Sequence, residues 1–147
     1  MRLTTFTDYS LRVLIHVATA PAGRATIGEI ARAFGISENH LVKVVHRLGQ
    51  AGLLVNTRGR HGGLRLAVEP SAIGLGRIVR ETEGADVPAE CFDPGRSECA
   101  IVRGCGLRPV LAEAVQAFHG VLDRYTLADL VRKPAPSIIA LHARRAA

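Results

Sequence analysis

The three cysteines of the chain lie close together and are suited to binding a metal. Cys91, Cys99 and Cys105 are the only cysteines present, and seven and five residues separate them. An odd number of thiols argues against a closed set of disulfides, and clustered thiolates in a reducing compartment favour metal ligation. The spacing lacks the tight C-x2-C pairs usual in zinc fingers, so it favours an iron-sulfur cluster.

A four-iron cluster needs four protein ligands, so a residue other than cysteine has to complete the set. The candidates are carboxylates and histidines: Asp8, Glu90, Asp93, Glu98 and the six histidines. Spacing alone does not choose among them. Asp8 lies four residues before Arg12 on a predicted helix, and an exposed ion pair with Arg12 is the competing role for this carboxylate.

A second group of residues is suited to binding a polyanion. Residues 24–65 include seven basic and two acidic side chains, a difference of +5 within a chain of net charge +6. This favours nucleic acid or an anionic membrane as a partner, and composition does not choose between them. No stretch reaches the roughly 18–20 apolar residues that span a bilayer, and the polar N-terminus is unlike a signal peptide. We therefore expect a cytoplasmic protein.

The basic residues lie on elements whose order is typical of a winged helix-turn-helix. Apolar residues at helical spacing predict helices over 4–19, 27–34 and 38–50. Residues 53–55 and 64–66 predict two strands on either side of a basic, glycine-rich turn. The helix at 38–50 then occupies the position of a recognition helix, and the hairpin is its wing.

The C-terminal half is predicted to hold the cysteines in a long loop between helices. A helix should run from residue 73 or 75 to 83, and another from 107 to about 125. The second carries an apolar stripe too long for one small core, so it needs a partner surface. We predict a mainly α fold with a small β-hairpin wing, a winged helix-turn-helix followed by a long C-terminal dimerisation helix. Its parts are a DNA-binding domain at 1–83, a cysteine-bearing loop at 84–106, a dimerisation helix and short terminal helix at 107–131, and a tail at 132–147.

Residues near the start of the recognition helix are expected to read base edges. Asn39, His40 and Lys43 occupy that position, and asparagine is suited to adenine. Arg47 should contact phosphate, while Arg58 and Arg60 at the wing tip should reach phosphates or the minor groove. The predicted DNA-binding set, with the helix-capping residues included, is Thr26, Ser37, Asn39, His40, Lys43, Arg47, Arg58, Arg60 and His61.

Three segments together resemble the iron-sulfur winged-helix repressors of the IscR and NsrR family. They are Met1–Arg12, Ile36–Leu48 and Arg58–Leu66. The resemblance implies a homodimer that binds a palindromic operator in double-stranded DNA, with the long helix across the dimer interface.

The resemblance also implies a cluster ligated by Cys91, Cys99 and Cys105. In the NsrR type, an aspartate on the N-terminal helix of the opposite subunit completes a 4Fe-4S site, and Asp8 occupies that position. The IscR type uses a histidine shortly after the third cysteine, where this chain has Gly106-Leu107-Arg108. The NsrR type, which responds to nitric oxide, is therefore favoured.

Three alternatives stay open at this point. The same DNA-binding dimer could hold a 2Fe-2S cluster and sense iron, cluster or redox status. The cysteines could instead hold zinc or act as a thiol switch. An enzyme with a nucleophilic cysteine is not expected, since nothing in the sequence pairs a cysteine with a positioned base.

Overall fold

The computed structural model describes residues 2–57, 59, 62–84, 88–93, 99–133 and 140. Within these residues the chain is mostly helical with one antiparallel hairpin, which confirms the predicted fold class. The elements are α1 (Thr5–Thr19), α2 (Ile27–Phe34), α3 (Glu38–Gln50), β1 (Leu54–Thr57), β2 (Gly63–Leu66), α4 (Leu75–Glu83), α5 (Leu107–Leu122) and α6 (Leu127–Val131), with short 3₁₀ turns at Pro70–Ala72 and Glu90–Phe92.

One hydrophobic core holds α1 to α4, the hairpin and α6 together. Leu14 of α1, Ile30 of α2 and Leu41 of α3 are all completely buried. Burying a side chain of this size stabilises the fold by about 1.5–3 kcal/mol relative to leaving it exposed. Leu127 of α6 is also completely buried, so the last described helix returns to the same core.

The turn between α2 and α3 is defined by local sequence signals. Gly35 ends α2 in the left-handed conformation, with φ of 65°, which a residue with a Cβ adopts at a cost. Ser37 then caps α3 by accepting a hydrogen bond from the N–H of His40. The two helices therefore meet across a three-residue turn, as a helix-turn-helix requires.

The hairpin differs slightly from its prediction. β1 begins at Leu54 and continues to Thr57, where the sequence pattern predicted a strand over 53–55. Leu53 is excluded because its N–H donates to the carbonyl of Leu48 in the turn that ends α3, and its side chain lies in the core. Leu54 pairs with Leu66, and Thr57 pairs with Gly63.

The helix α5 has no fully buried residue in the described part of the chain. Leu107 and Val110 keep 60% and 59% of their surface exposed. The helix ends at Leu122, three residues before the predicted end, since the N–H groups of Arg124 and Tyr125 bond three residues back and close a turn. The exposed apolar side chains agree with the expectation that this helix needs a partner surface.

Across the described residues, no helix combines the length and apolar character that crossing a membrane demands.

Candidate nucleic-acid interface and cysteine loop

The recognition helix α3 presents one face to the core and the other to solvent. Its buried face consists of Leu41, Val44, Val45 and Leu48. All four residues predicted to contact DNA from this helix are exposed: Asn39, His40, Lys43 and Arg47. Asn39 and Lys43 lie four residues apart on the side opposite the core, so they project in one direction. Gln50 continues the same row and is exposed, although the prediction omitted it.

The first turn of α3 lies beside α1. The ring of Tyr9 is 6.4 Å from the ring of His40, measured between centroids. A cleft of about 370 Å³ lies between the two helices, and its lining is Thr5, Phe6, Tyr9, His40, Lys43 and Val44. Tyr9 therefore borders the candidate interface, which sequence spacing did not indicate because the contact joins residues 31 positions apart. The ring of His40 thus lies close to α1.

Thr26 and Ser37 cap α2 and α3, as their sequence positions predicted. Thr26 accepts a hydrogen bond from the N–H of Glu29, and the Glu29 carboxylate accepts one from the N–H of Thr26 at 2.8 Å. Both capping residues are exposed. A helix start carries a partial positive charge, so the beginnings of α2 and α3 favour nearby phosphate groups. The two capping residues stabilise their helices, and their exposed position at the helix starts also suits them to contact DNA.

The base of the wing is joined to the segment that leads into α2. Ala25 and Leu64 form a two-way backbone bridge, with N···O distances of 3.0 and 2.7 Å. Gly63 has a φ of 143°, and a Cβ there would lie 3.1 Å from the carbonyl oxygen of Ala25. Only glycine permits this close approach without displacement. The Arg24 guanidinium also donates to the carbonyl of Gly62 at 2.7 Å.

The wing-tip predictions fall on residues outside the described part of the chain. These are Arg58, Arg60 and His61. Gly59, which is described, is exposed and has a φ of 104°. The roles of the three side chains therefore stay predictions.

The three cysteines are present as free thiols, each of them half-buried. Cys91 lies in the 3₁₀ turn Glu90–Phe92, and the carbonyl of Cys99 accepts a hydrogen bond from the N–H of Val102. Cys105 lies two residues before α5. The Arg108 guanidinium of α5 stacks over the Phe92 ring at 5.6 Å, which joins the first part of the loop to the beginning of the helix.

The chemistry of this donor set fits an iron-sulfur cluster, because three unpaired thiols on one loop are accessible to iron. Within a single copy of the described chain, however, no three His, Cys, Asp or Glu side chains are grouped closely enough to hold a metal ion. The described cysteines are therefore not gathered around a common centre here. Among the other candidate ligands, Glu90 and Asp93 flank Cys91, and Glu98 lies outside the described residues.

Asp8 lies in the first turn of α1 and forms the ion pair with Arg12 that its spacing predicted. The shortest distance between the two side chains is 2.9 Å, and the carboxylate keeps 42% of its surface exposed. Arg12 also lies over the ring of Phe34, 5.7 Å from its centroid. Asp8 is thus on the surface, and an exposed ion pair of this kind contributes only about 0.2–1 kcal/mol.

The beginning of α1 is bonded to the end of α4. The Glu83 carboxylate accepts hydrogen bonds from the N–H of Thr4 at 2.8 Å and from the Thr4 hydroxyl at 3.2 Å. The Thr7 hydroxyl donates to the Thr82 hydroxyl at 2.8 Å. Since the cysteine loop begins directly after Glu83, the first turn of the Asp8 helix and the start of that loop are held together.

Comparisons with known proteins agree on one family. Residues 3–133 match the family Rrf2, described as "Iron-dependent Transcriptional regulator". The chain is 50% identical over 133 residues to the HTH-type transcriptional regulator NsrR of Bacillus subtilis. The aligned region covers 90% of this chain and 91% of the relative.

Solved structures are similar over most of the chain as well. CymR, the global cysteine regulator of B. subtilis, is 30% identical, with a TM-score of 0.72 over 92% of this chain and 99% of that one. IscR of T. potens is 26% identical, with a TM-score of 0.71 over 92% of this chain and 89% of that one.

Proposed function

Because the chain belongs to the Rrf2 family of iron-dependent transcriptional regulators, we propose that it is a DNA-binding repressor that responds to nitric oxide through an iron-sulfur cluster. It is a transcriptional regulator rather than an enzyme, as its relatives are. The observation that carries the finer proposal is the set of three free thiols on one loop, in a chain that is 50% identical to NsrR of B. subtilis over 133 residues.

The DNA-binding step is assigned to α3 and the wing. Asn39 and Lys43 share the solvent side of α3 and would read base edges in the major groove. Arg47 at the far end of that helix, with Arg58 and Arg60 of the wing, would neutralise phosphates and supply the salt-dependent part of the affinity. To bind successive major grooves, a dimer joined through the exposed apolar face of α5 has to hold its two recognition helices about 34 Å apart, one turn of the duplex.

The cluster would be held by Cys91, Cys99 and Cys105, with Asp8 of the partner subunit as the fourth ligand. When bound, the cluster supplies iron that reacts with nitric oxide. Asp8 has to leave Arg12 before it can serve as a ligand, and the exposure of their ion pair keeps that cost near 0.2–1 kcal/mol. A carboxylate is a harder and more easily displaced ligand than thiolate, which suits a group that must be released by a signal.

Switching operator binding on and off needs only a difference in stability between two arrangements of the two DNA-binding domains in the dimer. About 3 kcal/mol changes operator affinity more than a hundredfold. A link between subunits that exists in one arrangement and not in the other is able to provide such a difference. The proposed link joins the cysteine loop of one subunit to the first turn of α1 of its partner. Within one copy, Thr4 and Glu83 bond the start of α1 to the end of α4, next to the loop.

The sensor proposal is tested with protein purified without oxygen. We expect coloured protein that contains iron and sulfide and loses operator binding in step with its visible absorbance as nitric oxide is added. Unchanged binding during the loss of colour would contradict the sensor role. Zinc in place of iron would support the alternative of a zinc-held regulator, and metal-free protein would support a thiol switch.

The fourth ligand is tested with a matched pair of variants. Asp8→Ala removes both the carboxylate and its ion pair, while Arg12→Ala removes the ion pair and keeps the carboxylate. We expect Asp8→Ala to lose its cluster faster than wild type under air, and Arg12→Ala to keep wild-type cluster stability. Equal stability of all three proteins would move the fourth ligand to another residue.

The division between base reading and phosphate contact is tested by binding titrations at several salt concentrations. Arg58→Ala combined with Arg60→Ala should weaken binding to every duplex and reduce the salt dependence. Asn39→Ala should relax the preference for the operator over unrelated DNA. An equal loss of specificity from both changes would contradict the assignment.

A further inference from the structure

An ion pair on the surface joins α4 to the end of α5. Arg80 of α4 donates two hydrogen bonds to the carboxylate of Asp123, directly after α5, at 3.1 and 2.5 Å. A guanidinium bonded through two nitrogens to both oxygens of a carboxylate defines an orientation as well as a distance. In the described structure α5 packs mainly against α4. We call Gly76, Arg80 and Asp123 the α4–α5 joint.

Gly76 allows the two elements to come this close. A Cβ at position 76 would collide with Oδ1 of Asp123 and would lie 3.1 Å from the backbone nitrogen of that residue. The residue is buried within the N-terminal turn of α4. Any larger side chain at position 76 would therefore displace the carboxylate that Arg80 binds.

The backbone beside the joint is fixed on both sides. The N–H of Leu75 donates to the carbonyl of Tyr125 at 2.9 Å, and the N–H of Leu127 donates to the carbonyl of Ile73 at 2.8 Å. These two bonds form an antiparallel bridge between Gly74 and Thr126. The bridge holds the chain just beyond α5 against the start of α4, and the ion pair lies beside it, between α4 and the end of α5.

The charges of the joint are stable at neutral pH. The hydrogen bonds from Arg80 lower the pKa of the Asp123 carboxyl, and the charge of Arg80 and the nearby His119 add to the same effect. The hydrogen bonds to Asp123 in turn raise the pKa of Arg80.

We propose that the α4–α5 joint sets the angle between α5 and the DNA-binding head, and thereby determines which half-site spacing the dimer accepts. The inference rests on the proposed function, since it needs two heads joined through α5. The 16 residues of α5 span about 24 Å. A rotation of about 10° at one end of such a helix moves the other end by about 4 Å, close to the 3.4 Å rise of one base pair.

The test compares Asp123→Ala with a matched control. Glu81→Ala breaks the Arg77–Glu81 ion pair, which is also on the surface at 2.8 Å but lies wholly within α4. Asp123→Asn, which keeps the size of the side chain, is a second variant of the joint. The charge-reversed pair Arg80→Asp with Asp123→Arg tests for rescue.

Two measurements are made on each full-length protein. The first is the distance distribution between spin labels at two exposed positions, Glu69 between the wing and α4 and Glu113 of α5. The labels are attached without cysteine chemistry, and labelled protein is diluted with unlabelled protein. The second is the affinity for duplexes whose half-site spacing is changed by one base pair in either direction. We expect Asp123→Ala to broaden the distances and to lower the preference for the best spacing about fivefold. Glu81→Ala should match wild type, and the charge-reversed pair should recover part of both properties.

A wild-type distance distribution in both Asp123 variants would overturn the proposal, and so would a broadened distribution with an unchanged spacing preference. Equal effects from Glu81→Ala would also overturn it, because the joint would then have no special role. If the wild-type protein bound duplexes with no spacing preference at all, dimeric operator binding would fail instead. The distance measurement would still show whether the joint orients α5.

Discussion

Replacing Gly76 by alanine tests the packing of the α4–α5 joint through protein stability alone. In an unobstructed helix, glycine to alanine stabilises by up to about 1 kcal/mol because alanine loses less backbone entropy on folding. At position 76 the new methyl group meets the Asp123 carboxylate and approaches its backbone nitrogen. Overpacking of this kind costs about 1–3 kcal/mol. The two effects together predict a free energy of unfolding lower by about 0–3 kcal/mol.

The control for this prediction is Gly49→Ala in α3. A Cβ there would lie 3.8 Å from the carbonyl oxygen of Leu54, which is an ordinary contact. The same substitution should therefore stabilise the protein, by an amount that does not exceed about 1 kcal/mol since position 49 is in the last turn of its helix. The sign of the change thus differs between the two positions.

The measurement is unfolding in urea at fixed protein concentration, followed by far-ultraviolet circular dichroism. The expected result is a lower midpoint for Gly76→Ala and a higher midpoint for Gly49→Ala, with equal slopes. A stabilised Gly76→Ala protein would refute the reasoning, because the space beside Asp123 would then accept a methyl group. The combined variant Gly76→Ala with Asp123→Ala should recover stability, since the carboxylate that collides is gone.

Three further predictions concern stability. Thr26→Ala removes the side-chain cap of α2 and should lower the free energy of unfolding by about 1 kcal/mol in urea titrations; an unchanged midpoint would mean that the cap is dispensable. Leu41→Ala leaves a cavity at a completely buried position and should lower the free energy of unfolding by about 2–5 kcal/mol. Its control, Val42→Ala at a half-exposed position, should change that free energy by no more than about 0.5 kcal/mol. Similar losses from both substitutions would contradict the observed burial. The pKa of Asp123 is lowered by its bonds with Arg80, so its contribution to stability is present above the ordinary aspartate value and is lost as the pH falls through the lowered one. Acid unfolding of Asp123→Asn should lack that part of the pH dependence, and a curve identical to wild type would argue against the ion pair.

The helix-turn-helix was predictable from the sequence because its signals are local. Thr26, Gly35 and Ser37 each act on residues within four positions, and their types determine where α2 begins and ends and where α3 begins. The alternation of buried and exposed residues along α3 follows from helical periodicity alone. The exposure of Asn39 and Lys43 was therefore a secure prediction.

Contacts between distant parts of the chain could not be predicted in the same way. Arg80 and Asp123 are 43 residues apart, and each has an ordinary role on a solvated helix when considered alone. Tyr9 borders His40 only because the core packs α1 against α3. The end of α5 was misplaced for a related reason, since apolar residues continue to Tyr125 while the backbone turns at Asp123 to reach the bridge with α4. The periodicity of apolar residues indicates which side of a helix is buried, and it does not show where the backbone turns.

The hydrogen bonds at the start of α1 bear on how the proposed signal would reach DNA. Glu83 precedes the cysteine loop by one residue and accepts two bonds from Thr4, the cap of α1. At its other side, α1 borders the first turn of the recognition helix through Tyr9 and His40. Val13 and Leu14 are completely buried, so α1 cannot shift without disturbing the core that also positions α3. Under the proposed function, a change in the loop would therefore reach the DNA-reading residues through one rigid helix rather than through a flexible linker.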